Sequence, residues 1–239
     1  MVKIFVTGSS RGIGLAIVEE LLKSNNNSVT GMSRSNYTEH ENFKFVKIDL
    51  SNPEEVLNFE FREESEFEKY ILINNAGTVE PVGRVGKLSN EEIIKAYNLN
   101  LIAPAILSNK FISAYKNTQS KLHIINVSSG AGKHPIDGWA VYNSTKAGLD
   151  MFSNVIKLEN EVDNNENILI HSIAPGIVDT KMQEEIRSKS ESEFSNIQRF
   201  KNYYKDGDLN SPENVAKKYL EVINNPEKFN DCVISVRDF

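Results

Sequence analysis

The chain has 239 residues, 39% hydrophobic and 25% charged, with a formal net charge of −6. That composition supports a real core, and the acidic balance argues against a general nucleic-acid binder, which needs a basic face. A lone cysteine, Cys232, excludes an intrachain disulfide, and no apolar run approaches the ~20 residues of a membrane span, so the expectation is a cytoplasmic protein with no membrane partner.

Seven short apolar runs alternate with helix-like stretches. The first, 3–7, leads into Thr7-Gly8-Ser9-Ser10-Arg11-Gly12-Ile13-Gly14 and a helix over 11–24. Glycines at a strand-to-helix junction let the backbone turn tightly, approach a phosphate and pack helix against strand. The free N–H groups and positive dipole end of the helix then suit a pyrophosphate, which points to a dinucleotide. Strand 28–33 ends Gly31-Met32-Ser33-Arg34-Ser35. An NAD site usually carries an acid there for the ribose 2′-hydroxyl. Its absence, with Arg34 and Arg11 available for a 2′-phosphate, favours NADP(H). The alternative leaves both arginines as ordinary surface residues.

Next come a strand over 43–48, a helix over 53–67 whose acids read as a solvated face, and a strand over 70–74. A helix over 89–116 opens at Ser89 with Glu91 and Glu92 in its first turn. Strand 121–127 runs out into Ser128-Ser129-Gly130 at the carboxyl edge of the sheet, where α/β folds bind ligands. In the helix over 139–163, Tyr142 and Lys146 lie one turn apart on one face. A phenol with pKa near ~10 is a poor acid–base group at neutral pH. A neighbouring ammonium stabilises the phenolate, and the tyrosine can then exchange a proton with a carbonyl oxygen. A hydroxyl at Ser129 would orient that carbonyl and stabilise developing oxyanion charge, while Ser128 reads as serving the turn.

The chain continues with a strand over 169–174, helices over 181–204 and 211–224, and a strand over 233–236. Pro212 stands at a first helical position. The charged segment 180–210 reads either as a flap covering the substrate or as a solvated helical excursion. Continuous rather than alternating strands in βαβ order imply one α/β unit over 1–239, a Rossmann-type doubly wound parallel sheet flanked by helices. His40, His123, His134 and His171 are scattered without metal-ligand spacing, so no metal is expected. Cys232 reads as a small buried residue.

Together these residues resemble the short-chain dehydrogenase/reductase family. Thr7–Gly14 looks like the family's cofactor loop, with Gly8, Ser10, Arg11, Gly12, Ile13 and Gly14. Asp49-Leu50 looks like its adenine-contacting pair, and Asn75-Ala76-Gly77, after Asn74, like its strand-four signature. Asn100, Ser129, Tyr142 and Lys146 match its catalytic tetrad. Pro175, Gly176 and Thr180 match the loop beside the nicotinamide, with Val178 between them. The resemblance implies that Tyr142 is the general acid and that Lys146 lowers its pKa and holds the nicotinamide ribose. It implies also that Ser129 binds the carbonyl oxygen, that Asn100 holds a water linking Lys146 to solvent, and that the protein is a homodimer or homotetramer.

Within the family, Asp137-Gly138-Trp139 before the tyrosine and Asp179-Thr180-Lys181-Met182-Gln183 look like the sepiapterin reductase and bacterial benzil reductase groups. Both reduce a carbonyl adjacent to a second carbonyl with NADPH. Trp139 and Met182 suit a flat apolar diketone. Asp238 in the terminal Arg237-Asp238-Phe239 resembles the pterin-binding aspartate, although Arg237 intrudes before it. The expectation is an NADPH-dependent carbonyl reductase of small molecules. The alternatives are a 3-oxoacyl thioester reductase or other short-chain alcohol dehydrogenase, and an NADP(H)-binding regulator without turnover.

Overall fold

A computed structural model describes residues 1–62 and 67–239. All seven expected strands form, and they pair in parallel in the order β3-β2-β1-β4-β5-β6-β7. They are β1 (Val2–Thr7), β2 (Asn27–Ser33), β3 (Phe43–Lys47), β4 (Lys69–Asn74), β5 (Lys121–Val127), β6 (Ile168–Ala174) and β7 (Val233–Ser235). The helices are α1 (Gly12–Leu21), α2 (Pro53–Asn58), α3 (Asn90–Tyr97), α4 (Ala103–Tyr115), α5 (Ala140–Val162), α6 (Lys181–Arg187), α7 (Ile197–Lys205) and α8 (Pro212–Asn224).

Each strand sends alternate side chains to two apolar layers, which is why the runs read as continuously hydrophobic. Ile4, Val6, Ile71, Ile73, Ile125 and Val127 pack with α1 and α8 on one face. Phe5, Leu72, Leu122 and Ile124 pack with Leu107 and Phe111 of α4 and Ile156 of α5 on the other. A third cluster over the carboxyl end joins Val79, Trp139, Tyr142, Ile186, Phe194 and Ile197. The strand order reverses between β1 and β4, so the loops after these strands part there and leave a crevice at the carboxyl edge. No helix among the described residues is long and apolar enough to cross a membrane.

Three helices differ from expectation. The helix expected over 53–67 ends at Asn58, because Phe59 turns extended and Phe61 inserts edge-on between Phe5 and Phe111, at 4.9 and 5.5 Å. Aromatic burial outweighs helix continuation, and residues 63–66 of the expected acidic face lie outside the described residues. The helix over 89–116 is interrupted by a π-turn at Asn98–Ile102, in which the Ala103 N–H reaches back to the Asn98 carbonyl. The stretch 181–204 divides into α6 and α7. Between them Phe194 is fully buried and stacks on Trp139 at 5.3 Å, while the Asp137 carboxylate accepts hydrogen bonds from Ser195 N–H and Oγ.

Candidate active site

The glycine loop is shaped by what surrounds it. Gly8 has φ +66°, and a Cβ at Gly14 would lie 2.3 Å from both Gly8 O and Asn75 Nδ2, so neither position accepts a side chain. Thr7 Oγ1 accepts hydrogen bonds from the Asn75 and Ala76 N–H groups, and Asn75 Nδ2 donates to the Thr7 carbonyl at 2.9 Å. The strand-four signature therefore clamps the loop. Arg11, which precedes α1, makes no side-chain cap, and the first turn holds no acid, so the leading N–H groups of the helix stay open. This uncapped N-terminus beside a Cβ-free turn fits a dinucleotide pyrophosphate.

A groove of about 890 Å³ runs from that loop across the sheet edge. It is lined by Gly8, Ser10, Arg11, Gly12 and Ile13, by Arg34, by Asp49 and Leu50, by Asn75, Ala76 and Gly77, and by Pro175 and Thr180. Thr180 faces the loop from the opposite wall, its methyl 3.3 Å from where a Gly12 Cβ would stand. Three of the residues expected at the cofactor do not line this groove. Gly14 is buried behind the loop, and Gly176 and Val178 line the neighbouring cavity instead. Arg11 and Arg34 are exposed on the groove and form no ion pair with a described residue. Burial opposes ionisation of Asp49, but the Ser51 hydroxyl and N–H and the charge of Arg34 hold its carboxyl below the usual value.

The second cavity, of about 550 Å³, meets the groove at Ser128, Tyr142 and Met182, which line both. Trp139, Ile136, Ile186 and Phe200 add an apolar wall. Strand β5 ends here, and the extended Ser129 accepts the Ala131 N–H at 3.2 Å and lies beside the Tyr142 phenol. So Ser129, rather than Ser128, serves the turn as well as meeting the tyrosine. Ser128 is buried, and its Oγ has no partner among the described residues. Asn143, which sequence reasoning missed, donates to the carbonyls of Ala131 (2.5 Å) and His134 (2.6 Å) and ties the serine loop to α5.

On α5, Lys146 donates to the Val127 carbonyl at 2.7 Å, and its Nζ stands 5.7 Å from the centre of the Tyr142 ring. Burial lowers the Lys146 ammonium to about 8, with Asp150 opposing. Burial raises the Tyr142 phenol above its ordinary value, with Ser129 opposing. Burial, not the expected effect of the ammonium, decides the direction for Tyr142, and the phenol is neutral at neutral pH.

Asn100 sits in the π-turn, 1% exposed and lining neither groove nor cavity. Its Oδ1 accepts the Thr78 N–H and its Nδ2 donates to the Thr78 carbonyl, both at 2.8 Å. A Cβ on Gly77 would lie 3.3 Å from Asn100 Oδ1 and 3.7 Å from Lys146 Nζ, so the two residues flank Gly77. The fold thus gathers Asn100, Ser129, Tyr142 and Lys146 from α3–α4, β5 and α5.

Asp238 does not reach the cavity. It is exposed, and its carboxylate accepts the Ser235 N–H at 3.0 Å, closing a terminal turn. Arg237 lines the cavity in its place, with Arg199, Tyr203 and Gln183 from α6 and α7. Apart from Met182, the lining positions on α6 and α7 were legible only as an undifferentiated charged stretch.

A parallel doubly wound sheet with a phosphate-fitting loop beside a Ser–Tyr–Lys row defines an oxidoreductase of the dinucleotide-binding class. The chain belongs to the short-chain dehydrogenase family, whose profile, described as short chain dehydrogenase, matches residues 3–191. It is 35% identical to a benzil reductase ((S)-benzoin forming) of Bacillus subtilis over 98% of both chains. It is 37% identical to the benzil reductase of Bacillus cereus over 94% of both. Among solved structures it resembles the KRED1-Pglu enzyme (TM-score 0.77, 28% identity, 93% of this chain and 94% of that one). It also resembles a short-chain dehydrogenase/reductase of Saccharomyces cerevisiae (TM-score 0.83, 25% identity, 99% and 96%).

Proposed function

We propose that the protein is a cytoplasmic NADPH-dependent carbonyl reductase whose substrates are vicinal diketones of the benzil type. The observation that carries this reading is the Ser129–Tyr142–Lys146 row at the mouth shared by the groove and the apolar cavity. Its similarity to two benzil reductases over nearly the full chain supports the substrate class.

The loop Gly8–Ile13 would hold the pyrophosphate, Asp49 and Leu50 the adenine, Arg34 and Arg11 the 2′-phosphate, and Lys146 the nicotinamide ribose. Pro175 and Thr180 would border the ring. Bound there, the nicotinamide dinucleotide supplies the hydride. Ser129 holds the carbonyl oxygen by a hydrogen bond that strengthens as negative charge develops. Tyr142, kept protonated by burial, gives that oxygen its proton as the hydroxyl forms. Lys146, fixed on the Val127 carbonyl, keeps a positive charge beside the phenol as it loses its proton. Asn100 holds the segment at Thr78 against the site, and its proposed water link to Lys146 would resupply the proton. The apolar wall of Trp139, Met182, Ile186 and Phe200 excludes water and takes the substrate's rings. A pterin substrate is less well served, because Asp238 is turned into its own backbone.

Subunits would associate as a homodimer or homotetramer through α5, where Met151, Val155, Leu158 and Val162 form an exposed apolar stripe. The deciding experiment follows NADPH absorbance with benzil, other vicinal diketones, sepiapterin and an acetoacetyl thioester. NADPH consumption with benzil is expected. Preferential use of the thioester would move the reading to an acyl reductase, and no oxidation with any of them would overturn it.

A further inference from the structure

The chain carries a net charge of −6, yet three cationic side chains, Lys133, Arg199 and Arg237, line the substrate cavity against a single carboxylate, Asp150. Asp150 is engaged elsewhere: it accepts the Ser172 Oγ–H at 2.6 Å and lies beside Lys146. None of the three cations makes an ion pair with a described residue. None lines the groove, so none is placed for the phosphates of a dinucleotide.

Arg237 is an exposed member of this lining and stands on a hydrogen-bonded turn. The backbone around it is held by Val236 N–H to the Ala174 carbonyl (3.0 Å), Arg237 N–H to Ser235 Oγ (3.2 Å) and Asp238 N–H to the Ser235 carbonyl (2.9 Å). The Asp238 carboxylate closes the same turn on the Ser235 N–H. Its Nε lies 3.5 Å from the position a Cβ on Gly176 would take, beside the loop that follows β6. Arg199, which lines the same cavity, is held by its Nε–H donating to the Tyr203 hydroxyl at 2.5 Å. A planar guanidinium on a pinned turn is suited to a carboxylate, which it meets with two parallel hydrogen bonds.

We infer that the cavity selects a ketone bearing a carboxylate next to its reducible carbonyl, an aryl 2-oxo acid, with Arg237 as the specificity-determining residue. The inference rests on the proposed carbonyl-reductase function and extends its substrates from vicinal diketones to ketones whose neighbouring carbonyl belongs to a carboxylate. The aryl group lies on the Trp139 and Phe200 wall, the keto oxygen on Ser129 and Tyr142, and the carboxylate on Arg237. The keto carbon gains the hydride and its oxygen the Tyr142 proton, so the product is the 2-hydroxy acid.

The test compares phenylglyoxylate with its methyl ester under saturating NADPH. The wild-type protein is expected to prefer the carboxylate at least tenfold in kcat/KM, a preference that falls as salt rises. In Arg237→Gln that preference ratio drops at least fivefold. Trp139, the only tryptophan, lines the cavity and gives a binding readout independent of turnover. Benzoate is expected to quench its fluorescence at lower concentration than benzamide in the wild-type protein, and not in Arg237→Gln. Equal use of acid and ester, or equal binding of benzoate and benzamide, overturns the inference while benzil reduction still stands. Absence of turnover with benzil, acid and ester alike overturns the proposed function as well.

Discussion

Lys146 donates a 2.7 Å hydrogen bond to the carbonyl of Val127, the last residue of β5, and so locks α5 onto the strand that leads into Ser129. Through that bond the helix face bearing Tyr142 and the strand end bearing Ser129 keep one spacing, and both line the same cavity. Positioned donors of this kind act on the charge that appears in the transition state rather than on the ground-state ketone.

The first prediction concerns the proton. Tyr142→Phe removes the hydroxyl and leaves the ring packed against Trp139, 5.5 Å away. Turnover is expected to fall by roughly 100-fold or more, the usual contribution of a positioned acid. NADPH affinity, measured by fluorescence titration, should stay within about twofold, because the groove keeps its other walls. Near-normal turnover would remove Tyr142 from the proton step.

The second concerns pH. Lys146 has its ammonium lowered from 10.5 to about 8 by burial, so the charged form is present below that pH and is lost above it. Reductive kcat/KM is expected to hold below pH about 8 and decline above it. The same shift makes the unfolded chain bind more protons than the folded one between about 8 and 10.5, so this group's contribution to stability rises with pH across that window. A profile flat to pH 10 would show that catalysis does not need the ammonium.

The third concerns the choice of cofactor. Arg34 is exposed on the groove at the end of β2, where no acid stands. Arg34→Glu is expected to raise the dissociation constant for NADPH tenfold or more, about 1.4 kcal/mol, and to leave that for NADH equal or lower. Calorimetric titration of both cofactors checks it, and an unchanged NADPH affinity would free Arg34 of the role.

The fourth concerns assembly. Leu158 is 57% and Val162 71% exposed on the outer face of α5. A charge placed there would be desolvated in an interface yet harmless on a free surface. Leu158→Glu is expected to shift sedimentation from oligomer to monomer with little change in thermal midpoint. Identical sedimentation of the two proteins would place the interface elsewhere.

How much was legible in the sequence varies by element. The strands were, because a sheet covered on both faces demands continuous Val and Ile runs such as those of β4 and β5. The glycine loop was, because only glycine fits where a Cβ at position 14 would strike Gly8 and Asn75. The break in 181–204 was not, since it depends on Asp137 capping Ser195 and on Phe194 reaching Trp139, both distant in sequence. Asn143 was equally hidden, because an asparagine one residue past the tyrosine gives no sign that it will hold a loop nine to twelve residues upstream.

The sequence by itself determined the doubly wound sheet, the phosphate-fitting loop and the pairing of Tyr142 with Lys146 one turn apart, since each rests on local spacing and on period within one element, whereas Asn100 entered only through the family resemblance. Only the tertiary structure decided which charged residues join Trp139 and Met182 in lining the cavity. It turned Asp238 back onto Ser235, brought Arg237 and Arg199 to the cavity and made burial the dominant influence on Tyr142 and Lys146. The physical reason is that desolvation and cavity shape arise from contacts between segments far apart in the chain. The charge that counts at the site is therefore the handful of side chains packed around it, and not the total of −6.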